Sequence, residues 1–179
     1  EYATQFHADR YEDGVYMVDI EDGLRYALIP DDEMPGWLSE EALRGMTVIR
    51  IPSSESYVAA SSALDLINAI DCLDHVLMTS TAASDWDIPE IKEKVKSDEI
   101  HYIGKYRAPD YEAMVEEEVS LAVESTMIYH NPQVTEAIEE LGIPVLVERS
   151  SYENDPLGRL EWIKLYGLLF GKEEEAESY

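Results

Sequence analysis

From Met46 to Gly171 the chain alternates between short apolar runs and segments of helical periodicity. The runs at 46–51, 75–78, 100–103, 120–123 and 144–148 have strand length, and each is closed by polar, Gly or Pro residues. Between them lie helical segments. One at 62–73 places Leu64, Ile67, Ile70 and Leu73 on a common side, behind a cap-like Ser62 and Asp65. A short one covers 89–95, and a third, capped by Asp110, carries Tyr111, Met114, Val115 and Val119. Behind Asn131-Pro132, Val134, Ala137, Ile138 and Leu141 follow at i, i+3, i+4 and i+7 until Gly142 stops the helix. Asp155-Pro156 opens the last of them, with Leu157, Leu160, Ile163 and Leu168 as its core face and Gly171 as its end. Parallel strands need long crossovers, and a helix in each crossover covers the sheet on both faces. The expected fold is therefore α/β, a three-layer lobe around a parallel sheet of about five strands.

Ahead of this core the pattern differs. Residues 1–13 are polar and read as irregular chain or a first edge strand. Segments 15–20 and 24–29 flank Glu21-Asp22-Gly23, a β-hairpin signal. A loop is expected over 30–36, and Ser39 reads as the cap of a short helix at 40–43. The domain layout expected is a lobe at 1–171, made of a hairpin at 14–30 and an α/β core at 46–171. Residues 172–179 begin a further helix.

Composition excludes some functions. Thirty-nine Asp and Glu face 13 Lys and Arg, a formal charge of -26 that argues against a nucleic-acid surface. No apolar run approaches the ~18 residues of a membrane span. Cys72 is the single cysteine, so neither a disulfide framework nor a cysteine metal site is expected. The histidines, His7, His75, His101 and His130, lack metal-ligand spacing, and the common phosphate, nucleophile and zinc motifs are absent. No metal, cofactor or catalytic residue is assigned.

In parallel α/β sheets ligands sit beyond the carboxyl ends of the strands. That rule selects loops rich in hydrogen-bonding and aromatic side chains. The ligand-facing set expected is Ser53, Ser54 and Tyr57, then Trp86, then Tyr106 and Arg107, then Thr126 and Tyr129, and finally Arg149 and Tyr152. Trp86 and Tyr106 stand in polar loops and are the expected stacking rings. Glu124 and Glu148 each end a strand at this edge. They read either as an acid/base pair or as acceptors for loop amides and helix N-termini. Trp162 and Tyr166, four apart, read as core.

The order Glu124-Ser-Thr, helix, Gly-Ile-Pro-Val-Leu-Val-Glu148, Pro-Leu-Gly-Arg-Leu-Glu-Trp-Ile-Lys-Leu-Tyr-Gly167 and Phe170-Gly-Lys-Glu-Glu-Glu-Ala-Glu177 resembles the ABC-transporter substrate-binding proteins of the iron-siderophore and cobalamin group. The resemblance spans roughly 46–179. It implies two similar α/β lobes on a rigid linking helix, with a metal chelate (siderophore, haem or corrinoid) held between them and delivered to a membrane permease. It implies an extracytoplasmic place, periplasmic or lipid-anchored, and no enzymatic activity. This chain would supply the first lobe and the start of the linking helix at 172–179, without the second lobe. The family's permease-docking carboxylate aligns with Gln133, with Glu136, Glu139 and Glu140 as acidic neighbours. Ferric catecholates call for clustered arginine, whereas this edge offers Lys105, Arg107, Arg149 and Arg159 in an acidic chain. A neutral or weakly charged ligand is the better match. The alternative class is an enzyme or metal-assembly lobe, nitrogenase-like or chelatase-like, with a site near Glu124 and Glu148. A purely structural interaction domain is the third.

Overall fold

Asp22 and Gly23 both take positive φ, 76° and 80°, the left-handed conformation those two residue types reach most easily. They join β2 (Tyr16–Ile20) to β3 (Leu24–Pro30) in the expected hairpin. The computed structural model describes residues 2–30 and 34–179. Glu1 and part of the loop expected over 30–36 thus lie outside the described residues. β1 (Phe6–Arg10) pairs antiparallel with β2, and β4 (Thr47–Ile51) pairs parallel with β3. The result is a four-stranded sheet in the order β1-β2-β3-β4. The run at 46–51 therefore belongs here and not in the parallel sheet. Tyr26 to Ile29 are buried in succession, so β3 is an interior strand that needs a neighbour on each edge. Expected helix 40–43 is a series of turns, in which Ser39 receives the Ala42 amide through its carbonyl (3.0 Å) and its hydroxyl (3.2 Å).

By its internal contacts the chain forms two units, residues 1–52 with 149–179, and residues 53–148. In the first, one face of the four-stranded sheet packs Val15, Ala27 and Ile29 with Leu38. The other face includes Phe6, whose ring meets Trp162 edge-on at 4.9 Å between centroids. Trp162 belongs to α5 (Pro156–Phe170), capped by the Asp155 carboxylate, which accepts the Leu157 amide at 2.8 Å. The buried side of α5 is Trp162, Ile163, Leu165, Tyr166, Leu169 and Phe170, while Leu157 and Leu160 are exposed (46% and 45%). Of the expected core face, Ile163 is buried and Leu168 half-buried, while Leu157 and Leu160 fail because apolar residues ring this helix and leave it little amphipathic contrast. Gly171 closes it with a φ of 69°, and α6 (Glu173–Ser178) follows. α6 approaches closely where Gly167 has no side chain. A Cβ there would stand 2.7 Å from the Ala176 Cβ.

The second unit is the parallel α/β body. Its strands are β5 (Ser56–Val58), β6 (Val76–Thr79), β7 (His101–Tyr102), β8 (Leu121–Ser125) and β9 (Val145–Glu148). All pair in parallel, in the order β7-β6-β5-β8-β9. The crossovers hold α1 (Ser61–Ala69), α2 (Pro89–Lys96), α3 (Tyr111–Glu116) and α4 (Pro132–Glu140). Asp110 caps α3 as expected, accepting the Glu112 and Ala113 amides at 3.1 Å. Ser62 does not cap α1; its hydroxyl donates to Glu148 at 2.7 Å. β5 is the central strand, and the sequence pattern does not mark it. Three residues are too short to show a period, and Ser and Tyr there give no apolar run.

Candidate functional site

The strand order fixes where this sheet opens. From β5 the chain proceeds to β6 and β7 on one side, then returns to β8 and β9 on the other. The crossovers therefore diverge between β5 and β8, the switch point at which α/β sheets place a ligand crevice beyond the carboxyl ends of their strands. There the Ala59 and Ala60 amides donate to the Val123 carbonyl at 2.9 and 3.4 Å. The β6 end is tied to β5 by hydroxyls: Thr79 Oγ1 donates to the Val58 carbonyl (3.0 Å) and Ser80 Oγ to that of Ala59 (3.3 Å). After β8, Ser125 caps a 3-10 turn at Thr126–His130, accepting the Met127 amide at 3.3 Å.

Five of the ten residues expected to face ligand lie in the loops at this edge: Trp86 after β6, Tyr106 and Arg107 after β7, and Thr126 and Tyr129 after β8. Tyr129 is exposed (44%), beside an exposed Met127, and Tyr102 at the end of β7 is equally open. Tyr106 is half-buried and Arg107 exposed. Trp86 is otherwise. Its ring is only 5% exposed, and its indole N–H donates to the Thr81 carbonyl at 3.3 Å, closing the loop on itself. The expectation that Trp86 stands free for stacking is corrected: a polar loop of that length can bury its own tryptophan.

Ser53 and Ser54 lie at the other edge. They precede β5, so they sit at the amino ends of the strands, where Ser53 Oγ meets Ser120 Oγ at 2.9 Å and the Ser53 carbonyl lies 2.8 Å from His75 Nδ1. The expectation followed from assigning 46–51 to the parallel sheet, which made 53–57 a carboxyl-end loop. Tyr57 is inside β5 and fully buried. Arg149 and Tyr152 belong to the first unit. There Arg149 is buried, donates to Gln5 (3.2 Å), pairs with Asp22 and stacks over the Tyr152 ring at 4.4 Å. Arg159 is likewise engaged, donating to the Glu153 and Ser151 carbonyls at 3.3 and 3.4 Å. The cations in the edge loops of the second unit are Lys105 and Arg107, both exposed. Gln133, Glu136 and Glu140 are exposed along α4, opposite the buried Val134 and Ile138.

Glu124 and Glu148 separate completely. Register pairs Glu124 with Val147 and Ser125 with Glu148. Paired residues share a face and successive residues alternate, so the two glutamates point to opposite sides of the sheet. Glu148 accepts from Ser62 on α1, as a structural acceptor would. Glu124 is 1% exposed, and among the described residues neither carboxylate oxygen has a hydrogen-bond partner. Burial pushes its carboxyl up to about 8. An acid/base pair of the two is excluded by this geometry, and with it the structural basis of the enzyme reading. Among the described residues, no group of three or more His, Cys, Asp or Glu is placed to hold a metal ion.

Against known proteins, no family model matches. An uncharacterized lipoprotein of Methanocaldococcus jannaschii is 26% identical over 159 residues, covering 83% of this chain and 37% of its own length. Among solved structures, a periplasmic haem-binding protein of Pseudomonas aeruginosa superposes with a TM-score of 0.54 at 17% identity, over 70% of this chain and 41% of that one. The petrobactin-binding protein YclQ of Bacillus subtilis gives 0.57 at 12%, over 98% and 48%. Staphylococcus aureus SirA, solved with staphyloferrin B, gives 0.52 at 21%, over 74% and 41%. The fold is that of one lobe of the siderophore- and haem-binding proteins of ABC iron transporters. The chain spans less than half the length of each of these relatives.

Proposed function

We propose that this chain is a lobe of the solute-binding component of an ABC importer, capturing a metal chelate and presenting it to a membrane permease. The observation that carries the reading is the switch-point edge between β5 and β8, where Thr126, Met127 and Tyr129 follow β8 directly. Such an edge offers backbone amides, an aromatic ring and a polarizable thioether to a flat or apolar-rimmed ligand. Likeness to lobes of haem- and siderophore-binding proteins supports it. Exposed cations in the edge loops are limited to Lys105 and Arg107, which favours a neutral or weakly charged chelate, a hydroxamate complex or corrinoid, over a ferric catecholate. The exposed row Gln133, Glu136 and Glu140 on α4 is the permease-docking surface in this reading. A place outside the cytoplasm, tethered as a lipoprotein, is favoured by the Methanocaldococcus relative. Residues 173–178, helical here, open the linking helix of the account.

A thermal-shift screen against ferric hydroxamates, ferric catecholates, haem and cobalamin tests the reading. A rise in melting temperature with a hydroxamate complex, haem or cobalamin supports it, and no response to any chelate contradicts it.

A further inference from the structure

The first unit leaves a sheet edge open. β1 is the outer strand of the order β1-β2-β3-β4 and has no second neighbour among the described residues. Register decides which of its backbone groups are spare. The Gln5 carbonyl accepts the Glu21 amide at 2.9 Å and the Tyr11 amide donates to the Val15 carbonyl at 2.8 Å, bracketing the pairs from Phe6–Ile20 to Arg10–Tyr16. Bonded and unbonded pairs alternate along an antiparallel ladder. The odd-numbered residues of β1 therefore bond to β2, and the N–H and C=O groups of Phe6, Ala8 and Arg10 point away from it. Such an unpaired row is a template for another strand. Beside it lies a groove of about 620 Å³ between β1, α5 and α6, lined wholly by the first unit. Phe6, Leu165 and Leu168 give it an apolar lining, and α6 contributes Glu173, Glu174 and Glu177. Its own cations are engaged: Arg10 lies over the Tyr16 ring at 5.9 Å, and Lys164 pairs with Glu161 at 3.1 Å. On α6, Lys172 pairs with Glu175, and among the described residues no ion pair reaches Glu173, Glu174 or Glu177. Glu173 and Glu177 stand four apart on one helix, where like charges repel.

We propose that β1 and this groove dock an extended segment of a partner protein that carries Lys or Arg at alternate positions. The segment adds a strand to the sheet, exchanging backbone hydrogen bonds with Phe6, Ala8 and Arg10. Alternate side chains of a strand share a face, so every second residue of the segment enters the groove. There a Lys or Arg lays its aliphatic stem along Phe6, Leu165 and Leu168 and brings its charged head to the α6 carboxylates. Backbone pairing supplies the attachment, and the carboxylates select for a basic segment. A second copy of this chain fits the same edge poorly, because each copy carries a formal charge of -26.

Residue-resolved hydrogen exchange with a synthetic hexapeptide of alternating Lys and Val tests the proposal, with the Glu-Val counterpart as control. The Lys-Val peptide should slow exchange of the Phe6, Ala8 and Arg10 amides by roughly tenfold when present at about ten times its dissociation constant. The His7 and Asp9 amides, already bonded to β2, should change far less, and the Glu-Val peptide should protect none of them. Ala8→Pro removes an outward donor that the β1–β2 ladder does not use, and should abolish the protection. Glu173→Gln combined with Glu177→Gln leaves the strand edge intact and should weaken peptide binding several-fold, which keeps the test decisive if Ala8→Pro does not fold. No protection at Phe6, Ala8 and Arg10 overturns the proposal, as does equal protection by the Glu-Val peptide. Protection of the same three amides without peptide, in a protein that sediments as a dimer, assigns the edge to a second copy and also overturns it.

Discussion

Glu124 and Glu148 end adjacent parallel strands one residue out of register, and that single offset sends them to opposite faces of the sheet. One side chain finds a hydroxyl on α1; the other finds no hydrogen-bond partner among the described residues. Two residues of the same type at the same edge thus have different chemistry, set by pleat alone.

The buried carboxyl has a measurable effect on stability. Glu124 is neutral in the folded protein up to about pH 8, yet ionised above about 4.5 when unfolded. The unfolded state therefore binds fewer protons in this window, and stability falls as pH rises through it. The contribution lost is on the order of 3–5 kcal/mol. Urea unfolding followed from pH 5 to 9 should show this decline in the native protein and a flatter profile in Glu124→Gln.

Glu153 predicts the opposite sign. Its buried carboxylate accepts from the Thr4 amide (2.8 Å) and hydroxyl (2.9 Å), the Gln5 amide (2.9 Å) and the Trp162 indole (3.0 Å). Burial raises its pKa, but those donors outweigh it and the net shift is downward. This stability is present above the ordinary carboxylate range and is lost as pH falls through the depressed value. Glu153→Ala strips four donors of their partner and should cost about 3–5 kcal/mol in chemical denaturation. A loss below ~1 kcal/mol would mean the N-terminal segment is not anchored there.

Aromatic substitutions separate edge from core. Tyr129→Ala should weaken chelate binding by about 1–3 kcal/mol in calorimetry and leave the melting temperature nearly unchanged, since its ring is exposed. Trp86→Ala and Trp162→Ala should each lower stability by about 3–5 kcal/mol, because both rings are buried. An unaltered affinity in Tyr129→Ala would remove that ring from the site.

Much of this was legible in the sequence, and the failures have physical causes. The alternation of apolar runs and amphipathic segments gave the parallel α/β body, and Asp22-Gly23, Asp110, Asp155 and Gly171 marked real turns and caps. β5 stayed hidden because three residues carry no periodicity, and without it the switch point between β5 and β8 was not visible. The same omission placed Ser53 and Ser54 at the ligand edge, when they lie at the amino ends of the strands. Arg149 looked like a ligand cation because sequence shows no partner 127 residues away in Asp22. Exposure of Leu157 and Leu160 was hidden by the apolar ring around α5.

Gly167 tests the close packing of α5 and α6. Gly167→Ala would bring a methyl to 2.7 Å from the Ala176 Cβ and 3.0 Å from the Lys172 carbonyl, forcing a shift that should cost about 1–3 kcal/mol. Neutral or raised stability by thermal unfolding would show that α6 moves aside freely.

The central claim is that ligand is held at the carboxyl edge of β5 and β8, and amide chemical-shift mapping tests it most directly. On titration with a ferric hydroxamate or cobalamin, the shifts should concentrate at Ala59, Ala60, Tyr106, Arg107 and the Thr126–His130 turn. Shifts centred instead on Ser53, Ser54 and Ser120 at the amino ends, or none at saturating chelate, would contradict the account.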